Sequence, residues 1–215
     1  MMAAMKIAII GAGNVGGNLG ARLSKSGFAV CFGLKDGKDA AALLARCGKD
    51  ATTGTVEEAT RQGDLVFFAL PANVVLDVVK SLGSLLDGKI IVDCNNPLSW
   101  KDGPVWAPPA EGSLTQAIAK VAPRSKVLKA FNQFGAEHHG DPNLTGAPAT
   151  VFIAGDDGAA KKTLEDISTK AGFHPVDAGP LRNAGVLENV AILWIHLAMV
   201  GGQGRGFTIE LRGTK

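Results

Sequence analysis

A glycine-rich turn between an apolar strand and a helix constrains this chain more than any other feature. Residues 11–16 read Gly-Ala-Gly-Asn-Val-Gly, an apolar run at 5–10 leads into them, and an amphipathic pattern follows to residue 26. In a strand–turn–helix unit the first glycine permits the tight turn, the second lets a pyrophosphate approach the backbone, and the third lets the helix pack on the strand. Free N–H groups at the helix start favour negative charge. The stretch therefore predicts a dinucleotide-binding unit.

The end of the next predicted strand, at residues 28–33, indicates which dinucleotide is bound. NAD-specific folds place an acidic residue about 20 positions beyond the glycines, where it holds the adenine ribose. Here Lys35 stands near that position and Lys38 follows closely. A cation suits the 2′-phosphate of NADP. Asp36 and Asp39 leave a second interpretation open, in which all these charges are solvated on a turn.

The remaining chain alternates strand-like and helix-like segments, which is typical of a doubly wound, mostly parallel α/β sheet. A Rossmann fold with seven or eight strands and a short helical C-terminal part is predicted, with an NADP-binding domain at 1–180 and a C-terminal helix and tail at 181–215 packed on the same domain. Residues 55–58 have the spacing of a capping box. Further strands are predicted at 65–70, 89–93, 126–131, 150–154, 174–178 and 206–211, and helices at 39–47, 56–63, 73–82, 113–121, 157–171 and 181–199.

An irregular insert at 98–112 carries Trp100 and Trp106. Two aromatic side chains on a loop near the strand ends could form a lid or a platform for a substrate. They could equally pack on the underside of the loop or on a partner subunit.

The coenzyme is expected at the carboxyl ends of the strands, because ligands of open α/β sheets bind there. Amide side chains at these ends can offer donors and acceptors to a carboxamide or a ribose hydroxyl, although asparagine beside proline also occurs in ordinary turns. The predicted cofactor-binding residues are Gly11, Ala12, Gly13, Asn14, Val15, Gly16, Gly33, Leu34, Lys35, Lys38, Ala69, Leu70, Pro71, Val74, Asn95, Asn96, Pro97, Ala130 and Asn132.

Proton chemistry near the predicted nicotinamide site is sparse. The chain contains no tyrosine, which excludes a Tyr–Lys carbonyl reductase dyad. His138, His139 and Lys129 are the nearby titratable residues, and the adjacent histidines are interpreted as a pair on a surface loop. Asn132 and His138 are the candidate catalytic residues. A site rich in small residues suits hydride transfer between two stacked ring cofactors, which requires little from protein acids and bases.

The chain resembles the deazaflavin-dependent NADP oxidoreductases and the related cytosolic domain of six-transmembrane metalloreductases. The resemblance rests on residues 11–16, 33–35, 93–97 and 129–132, and most specifically on Ala-Gly-Asp-Asp at 154–157, Val-Asp-Ala-Gly-Pro-Leu at 176–181 and Leu-Glu at 187–188. It implies a Rossmann fold, NADP as coenzyme and a dimer. In that family a Ser-Arg pair grips the 2′-phosphate, and Leu34-Lys35 stands in its place here.

Three functions follow as alternatives. The first is an NADP-dependent oxidoreductase that transfers hydride between NADPH and a flavin-like or deazaflavin acceptor. The second is a small-substrate dehydrogenase or imine reductase, against which the short chain after residue 154 argues, because such families usually add a large helical domain. The third is a non-catalytic NADP-binding subunit or sensor.

Composition excludes several other classes of function. A net charge of +2 and the absence of a basic stripe argue against nucleic-acid binding. Cys31, Cys47 and Cys94 are too far apart for a zinc site, so no metal is expected, and reduced thiols fit a cytoplasmic protein. The apolar run 190–200 is too short to span a membrane, and neither a membrane partner nor an export signal is predicted.

The predicted helix at 181–199 is apolar around most of its circumference, including Leu187, Leu193, Trp194 and Ile195. Such a helix must be buried on several sides, and little chain follows that could cover it. A homodimer built on this helix is therefore expected, with the Trp-containing loop as the alternative cover.

Overall fold

Strand β1 (Lys6–Ile10) lies inside an eight-stranded sheet, and the glycine-rich turn joins it to helix α1 (Asn14–Lys25). A computed structural model describes residues 5–35 and 40–213. The strands are β1, β2 (Ala29–Leu34), β3 (Ala51–Thr55), β4 (Leu65–Phe68), β5 (Ile90–Asp93), β6 (Leu98–Trp100), β7 (Pro104–Trp106), β8 (Lys126–Lys129), β9 (Thr150–Gly155) and β10 (His174–Asp177).

The helices cover both faces of this sheet. They are α1, α2 (Ala41–Leu44), α3 (Val56–Gln62), α4 (Ala72–Leu82), α5 (Leu114–Val121), α6 (Ala136–Gly140), α7 (Gly158–Lys170) and α8 (Ala184–Met199), with short 3-10 turns at Gly83–Leu86 and Leu181–Asn183. Within the described ranges, no helix combines the length and the apolar character needed to cross a membrane.

The strand order is β10-β9-β8-β5-β4-β1-β2-β3, and six strands from β3 to β8 run parallel. Strand β9 is antiparallel to β8, and β10 is parallel to β9. This arrangement confirms the predicted Rossmann-type, mostly parallel fold with a helical C-terminal part. All six parallel strands end at one edge, which brings the predicted site segments together.

Two hydrophobic cores, one on each face, hold the helices on the sheet. One face joins Ile9 and Phe67 to α1 and α7, and the other joins Phe68 to α4 and α5. Every residue of β4 is buried, as expected for a strand that is covered on both faces. The predicted capping box is present, since Thr55 accepts a hydrogen bond from the backbone of Glu58 and its own backbone donates to the Glu58 carboxylate.

Several local predictions are wrong. Strand β3 was not predicted, because its sequence Ala-Thr-Thr-Gly-Thr has no apolar run. The strand lies at the sheet edge and, among the described strands, pairs with β2 alone. The insert at 98–112 contains a hairpin of β6 and β7. Residues 206–211 form no strand, since Phe207 stacks on Trp194 of α8 and does not join the sheet. The helix predicted at 39–47 is shortened to α2, and α8 begins at Ala184, after a 3-10 turn.

Candidate functional site

The glycine-rich turn has the close backbone contacts that its sequence predicts. Gly11 has φ of +100°, and a Cβ there would lie 2.4 Å from the carbonyl oxygen of Ala69. A Cβ at Gly16 would lie 1.9 Å from the carbonyl oxygen of Gly11, so only glycine lets α1 approach this closely. A Cβ at Gly13, by contrast, would meet no atom of the described residues within 4 Å. The turn is therefore tight at its two ends and open at its middle glycine.

The start of α1 can attract an anion. Gly13 is the N-cap residue and makes no side-chain capping hydrogen bond, and the described first turn of the helix contains no acidic residue. Its backbone N–H groups and the helix dipole are therefore left to favour negative charge in the open space beside Gly13.

A cavity of about 410 Å³ adjoins the turn, between the ends of β1 and β2 and the helix α4. The exposed Lys35 borders it, and no carboxylate is among the residues that line it in the described part of the chain. Its lining consists of Ile10, Gly11, Ala12, Gly33, Leu34, Lys35, Val56, Leu70, Val74 and Val78. An apolar cleft with one cation at its mouth can hold an adenine ring and a phosphate.

Just after the ends of β5 and β8, the side chains of Asn96 and Asn132 are joined by a hydrogen bond. Nδ2 of Asn132 donates to Oδ1 of Asn96 at 2.8 Å and to the carbonyl oxygen of Leu187 at 2.9 Å. Nδ2 of Asn96 donates in turn to the backbone oxygen of Asn132 at 2.8 Å. Oδ1 of Asn132 is buried and has no hydrogen-bond partner among the described residues. The pair thus leaves one oriented acceptor at the strand ends.

Asn95 has a different place from its neighbour Asn96. Its Nδ2 donates to Oδ1 of Asp93 at 2.8 Å, and its Oδ1 accepts from the backbone N–H of Leu70 at 2.9 Å. Both the oxygen and the nitrogen of its side-chain amide are therefore engaged inside the protein, where they hold the backbone of Leu70 beside the cavity. A direct contact of Asn95 with a cofactor stays a prediction.

The two histidines are buried, so their interpretation as a surface pair is wrong. They lie on the short helix α6, which packs against α1, and both are at most 1% exposed. Nε2 of His139 lies 2.9 Å from the carbonyl oxygen of Phe131, and Nε2 of His138 lies 3.3 Å from that of Arg205. Burial lowers the pKa of His139 to about 4. That ring is therefore neutral at pH 7.

A buried ionic cluster of Asp93, Lys129 and Glu188 connects the ends of β5 and β8 to helix α8. Nζ of Lys129 lies 3.0 Å from Oδ2 of Asp93 and 3.5 Å from Oε1 of Glu188, and all three side chains are fully buried. The same Nζ donates to the carbonyl oxygen of Asn95. Oγ1 of Thr115 donates to Asp93 at 2.7 Å. Two carboxylates and one ammonium are thus removed from water together, which requires the hydrogen bonds that surround them.

Glu188 also fixes the hairpin that contains Trp106. Nε1 of Trp106 donates to Oε2 of Glu188 at 2.8 Å, and the N–H of Leu114 donates to Oε1 at 2.9 Å. Burial raises the pKa of Glu188, and Lys129 opposes this rise. Trp106 therefore holds the carboxylate of Glu188 in place beneath the site. Trp100 makes a contrast, because its side chain is 55% exposed.

The structure brings most of the predicted site residues to one edge of the sheet. Gly11 and Ala12 of the turn, residues 33–35, Leu70 and Val74 line the cavity. Residues 13–16 continue the turn into α1, and Ala69 and Pro71 are the chain neighbours of Leu70; none of these is among the lining residues. Pro97 and Ala130 are buried beside the asparagine pair. Lys38 lies outside the described residues.

The ionic cluster is the part of the site that the sequence did not reveal. The sequence marks Lys129 as a nearby titratable group and a member of the family motif 129–132, and Glu188 as part of the family motif 187–188, but it does not connect the two. The members of the cluster are 36 and 59 residues apart along the chain, which no local pattern connects. The available signal was the presence of charged residues within the apolar segments β5, β8 and α8.

Comparison with known proteins agrees with this geometry. A family model described as "NADP oxidoreductase coenzyme F420-dependent" matches residues 6–97. An F420-dependent NADP reductase of Methanocaldococcus jannaschii is 30% identical over 207 residues, covering 90% of this chain and 92% of that protein. Metalloreductase STEAP3 of Rattus norvegicus is 31% identical over 196 residues, covering 88% of this chain but 37% of that longer protein.

A solved structure is similar over nearly the whole chain. It is that of a putative F420-dependent NADP reductase from Arthrobacter sp. FB24, with a TM-score of 0.86 and 26% identity, and the match covers 97% of this chain and 100% of the other.

Proposed function

Because this chain belongs to the family of coenzyme F420-dependent NADP oxidoreductases, we propose that it transfers hydride between NADPH and a flavin-like or deazaflavin acceptor. NADPH, when bound, supplies the hydride. The chain's own residues bind the coenzyme, orient its nicotinamide end and exclude water.

The described residues fit NADP. The tight approach at Gly11 and Gly16 leaves open space at Gly13, where backbone N–H groups of α1 would hold the pyrophosphate. Lys35, at the mouth of the cavity, would contact the 2′-phosphate. The unpartnered Oδ1 of Asn132 would accept a hydrogen bond from the nicotinamide carboxamide.

One observation carries the choice of acceptor: Lys129, Asp93 and His139, near the ends of β5 and β8, are already engaged. His138 is engaged through Nε2 by the carbonyl oxygen of Arg205, while its buried Nδ1 has no hydrogen-bond partner among the described residues. Lys129 and Asp93 are bound to each other, and the neutral ring of His139 faces the carbonyl oxygen of Phe131. Reduction of a ketone or an imine normally requires a positioned acid. Hydride transfer to a second ring cofactor requires mainly that the two rings be held together. The site therefore favours a flavin-like or deazaflavin acceptor over a small carbonyl or imine substrate.

A steady-state assay tests this proposal. NADPH oxidation is followed with FMN, FAD, a deazaflavin, ferric chelates and a set of small ketones and cyclic imines. Turnover with the flavin-like or deazaflavin compounds is expected. Turnover confined to ketones or imines would replace the proposal by a small-substrate dehydrogenase. Tight NADPH binding without any turnover would indicate a binding subunit or sensor.

We also propose that the protein is a homodimer built on α8. The spacing of Val186, Val190, Leu193, Leu197 and Val200 alternates four and three residues, which is the spacing of a helix–helix seam. Val186, Leu193 and Val200 are 60%, 52% and 46% exposed. A second copy of the seam would cover them through a two-fold axis. Trp194, by contrast, is already buried within the chain against Phe207.

The domain organisation and the location in the cell follow as further proposals. The buried contacts of Glu188 support a C-terminal segment, 181–215, that packs on the NADP-binding domain 1–180. The cysteines at 31, 47 and 94 are free thiols, which supports a reducing, cytoplasmic environment.

A further inference from the structure

The residue before Asn132 has a backbone conformation that its side chain does not favour. Phe131 has φ of +58°, and only Asp102 shares a positive φ among the described non-glycine residues. A bulky residue in the left-handed region stores strain and persists only where surrounding contacts hold it. The ring of Phe131 is buried, with its centroid 5.8 Å from that of Phe67 and 5.2 Å from that of Phe173. Packing therefore fixes the side chain of Phe131.

The backbone carbonyl of the same residue is held by His139. Both ring nitrogens of His139 face carbonyl oxygens, Nε2 that of Phe131 at 2.9 Å and Nδ1 that of Gly135 at 3.2 Å. A neutral imidazole has one N–H, and the shorter contact takes it, so we assign the Nε2–H tautomer. The ring also contacts Phe134, with centroids 4.7 Å apart. His139 is thus locked in place and donates one hydrogen bond to the strained turn.

We propose that His139 is a positioning residue of the nicotinamide site, which acts by holding the left-handed turn at Phe131 so that Asn132 presents its free oxygen. The inference rests on the proposed function. The turn continues directly into Asn132, whose Nδ2 is held by Asn96 and Leu187 and whose Oδ1 is unpartnered among the described residues. Without the donor at His139, the buried carbonyl of Phe131 is unsatisfied, and the turn relaxes toward more favourable backbone angles. Asn132 then moves with it.

Binding of two nucleotides distinguishes this role from general packing. NADPH reaches the nicotinamide end, whereas 2′,5′-ADP carries only the adenosine and its phosphates. His139→Leu is expected to raise the Kd for NADPH roughly tenfold. The Kd for 2′,5′-ADP is expected to stay within about twofold of wild type, because the hydrogen bonds and ring contacts of His139 in the described part of the chain go to Phe131, Phe134 and Gly135, and none of these lines the cavity. His139→Gln keeps an N–H donor and is expected to restore most of the NADPH affinity.

The neighbouring histidine provides a matched control. His138 is equally buried and lies on the same helix, but it faces the carbonyl oxygen of Arg205 in the C-terminal tail. His138→Leu is therefore expected to leave both nucleotide affinities unchanged. A loss of NADPH affinity equal to that of His139→Leu would show that the helix acts by packing alone, and would overturn the proposal.

A double-mutant cycle identifies the residue through which His139 acts. In an Asn132→Ala background, His139→Leu is expected to have no further effect on NADPH binding. A full additional loss in that background would overturn the proposal. So would an unchanged Kd for NADPH in His139→Leu alone, or an equal loss for both nucleotides. Wild-type protein that binds neither nucleotide would instead overturn the proposed function, and this inference with it.

NMR of the wild-type protein provides a test that is independent of how the variants fold. The imidazole nitrogens of His139 are expected to show a neutral Nε2–H tautomer at pH 6, because burial lowers its pKa to about 4 and the proton is held by Phe131. An Nδ1–H tautomer, or a protonated ring at pH 6, would overturn the proposal.

Discussion

Replacing Lys129 by methionine is the most informative perturbation of this fold. Methionine is similar in length to lysine, but it lacks the ammonium that lies 3.0 Å from Asp93 and 3.5 Å from Glu188. The variant leaves two buried carboxyl groups without a counter-charge. The neighbouring donors, Thr115 and Trp106, remain in place but cannot neutralise them.

Removal of one partner from a buried ion pair destabilises proteins by about 3–5 kcal/mol, since the other charge remains buried and unpaired. The complete burial of all three side chains places Lys129→Met within that range. For a chain of this size, each kcal/mol changes the melting temperature by roughly 2–4 °C, so a decrease of about 6–20 °C is expected. Such a loss is a large fraction of the stability of an ordinary domain.

Lys161→Met is the matched control. Lys161 pairs with Asp177 at 2.8 Å, but the aspartate side chain is 49% exposed and water can replace the contact. Exposed pairs contribute about 0–1 kcal/mol, so its melting temperature is expected to fall by less than about 4 °C.

The pH dependence provides a second signature of the same variant. Burial raises the pKa of Glu188 and Lys129 opposes the rise, so removal of Lys129 raises that pKa further. When the pKa of a carboxyl group is higher in the folded protein than in the unfolded chain, its contribution to stability is fully present at pH values below the unfolded-state pKa. That contribution is lost as the pH rises through the folded-state pKa. The destabilisation by Lys129→Met is therefore expected to be larger at pH 8 than at pH 5.

Urea unfolding of wild type and both variants at the two pH values measures these differences. The reasoning is refuted if Lys129→Met costs no more than Lys161→Met, or if its destabilisation grows as pH falls. A smaller loss in the double variant Lys129→Met/Glu188→Gln than in Lys129→Met alone is expected, because one uncompensated carboxylate is then removed.

Three further outcomes are expected at the surface of the candidate site and on α8. Lys35→Ala should weaken NADPH binding roughly 5- to 50-fold and NADH binding little, as measured by fluorescence titration; equal losses would contradict a 2′-phosphate contact. Gly13→Ala should keep the melting temperature and lose NADPH affinity, whereas Gly16→Ala should lose both, because its Cβ meets a backbone oxygen at 1.9 Å. Leu193→Asp should give a monomer in light scattering at micromolar concentration, with Leu144→Asp, also exposed, as the control that leaves the dimer intact.

The parts of the fold that the sequence predicted are those determined by neighbouring residues. The strand, turn and helix around Gly11 follow from local backbone requirements, and the Thr55 capping box follows from a spacing of three residues. Strand β3 was not predicted because an edge strand needs little apolar surface. It is held in the sheet by its backbone pairing with β2. The prediction of a strand at 206–211 was wrong because Phe207 of this segment packs on Trp194 of α8.

The candidate site also has a part that could be predicted from the sequence and a part that could not. The position of the candidate site at one edge of the sheet was predicted, since parallel strands end together and the residues at those ends could be counted along the chain. The contacts beneath that edge were not predicted. The contact of His139 with Phe131 depends on how α6 docks, and the contacts of Glu188 with Lys129 and Trp106 depend on how α8 docks. Docking of helices is decided by tertiary packing, which a one-dimensional pattern does not encode.

The position of Glu188 along the chain has a consequence for synthesis. It follows Lys129 by 59 residues, which corresponds to roughly 3–12 s at ordinary rates of translation. During that interval the strands from β1 to β8 have been synthesised, while Trp106 and Leu114 still lack the acceptor that orients them. A nascent chain stopped before α8 therefore holds an unfinished core with exposed apolar surface. Molecular chaperones would bind such a chain, and proteases would cut it, until α8 is made and docks.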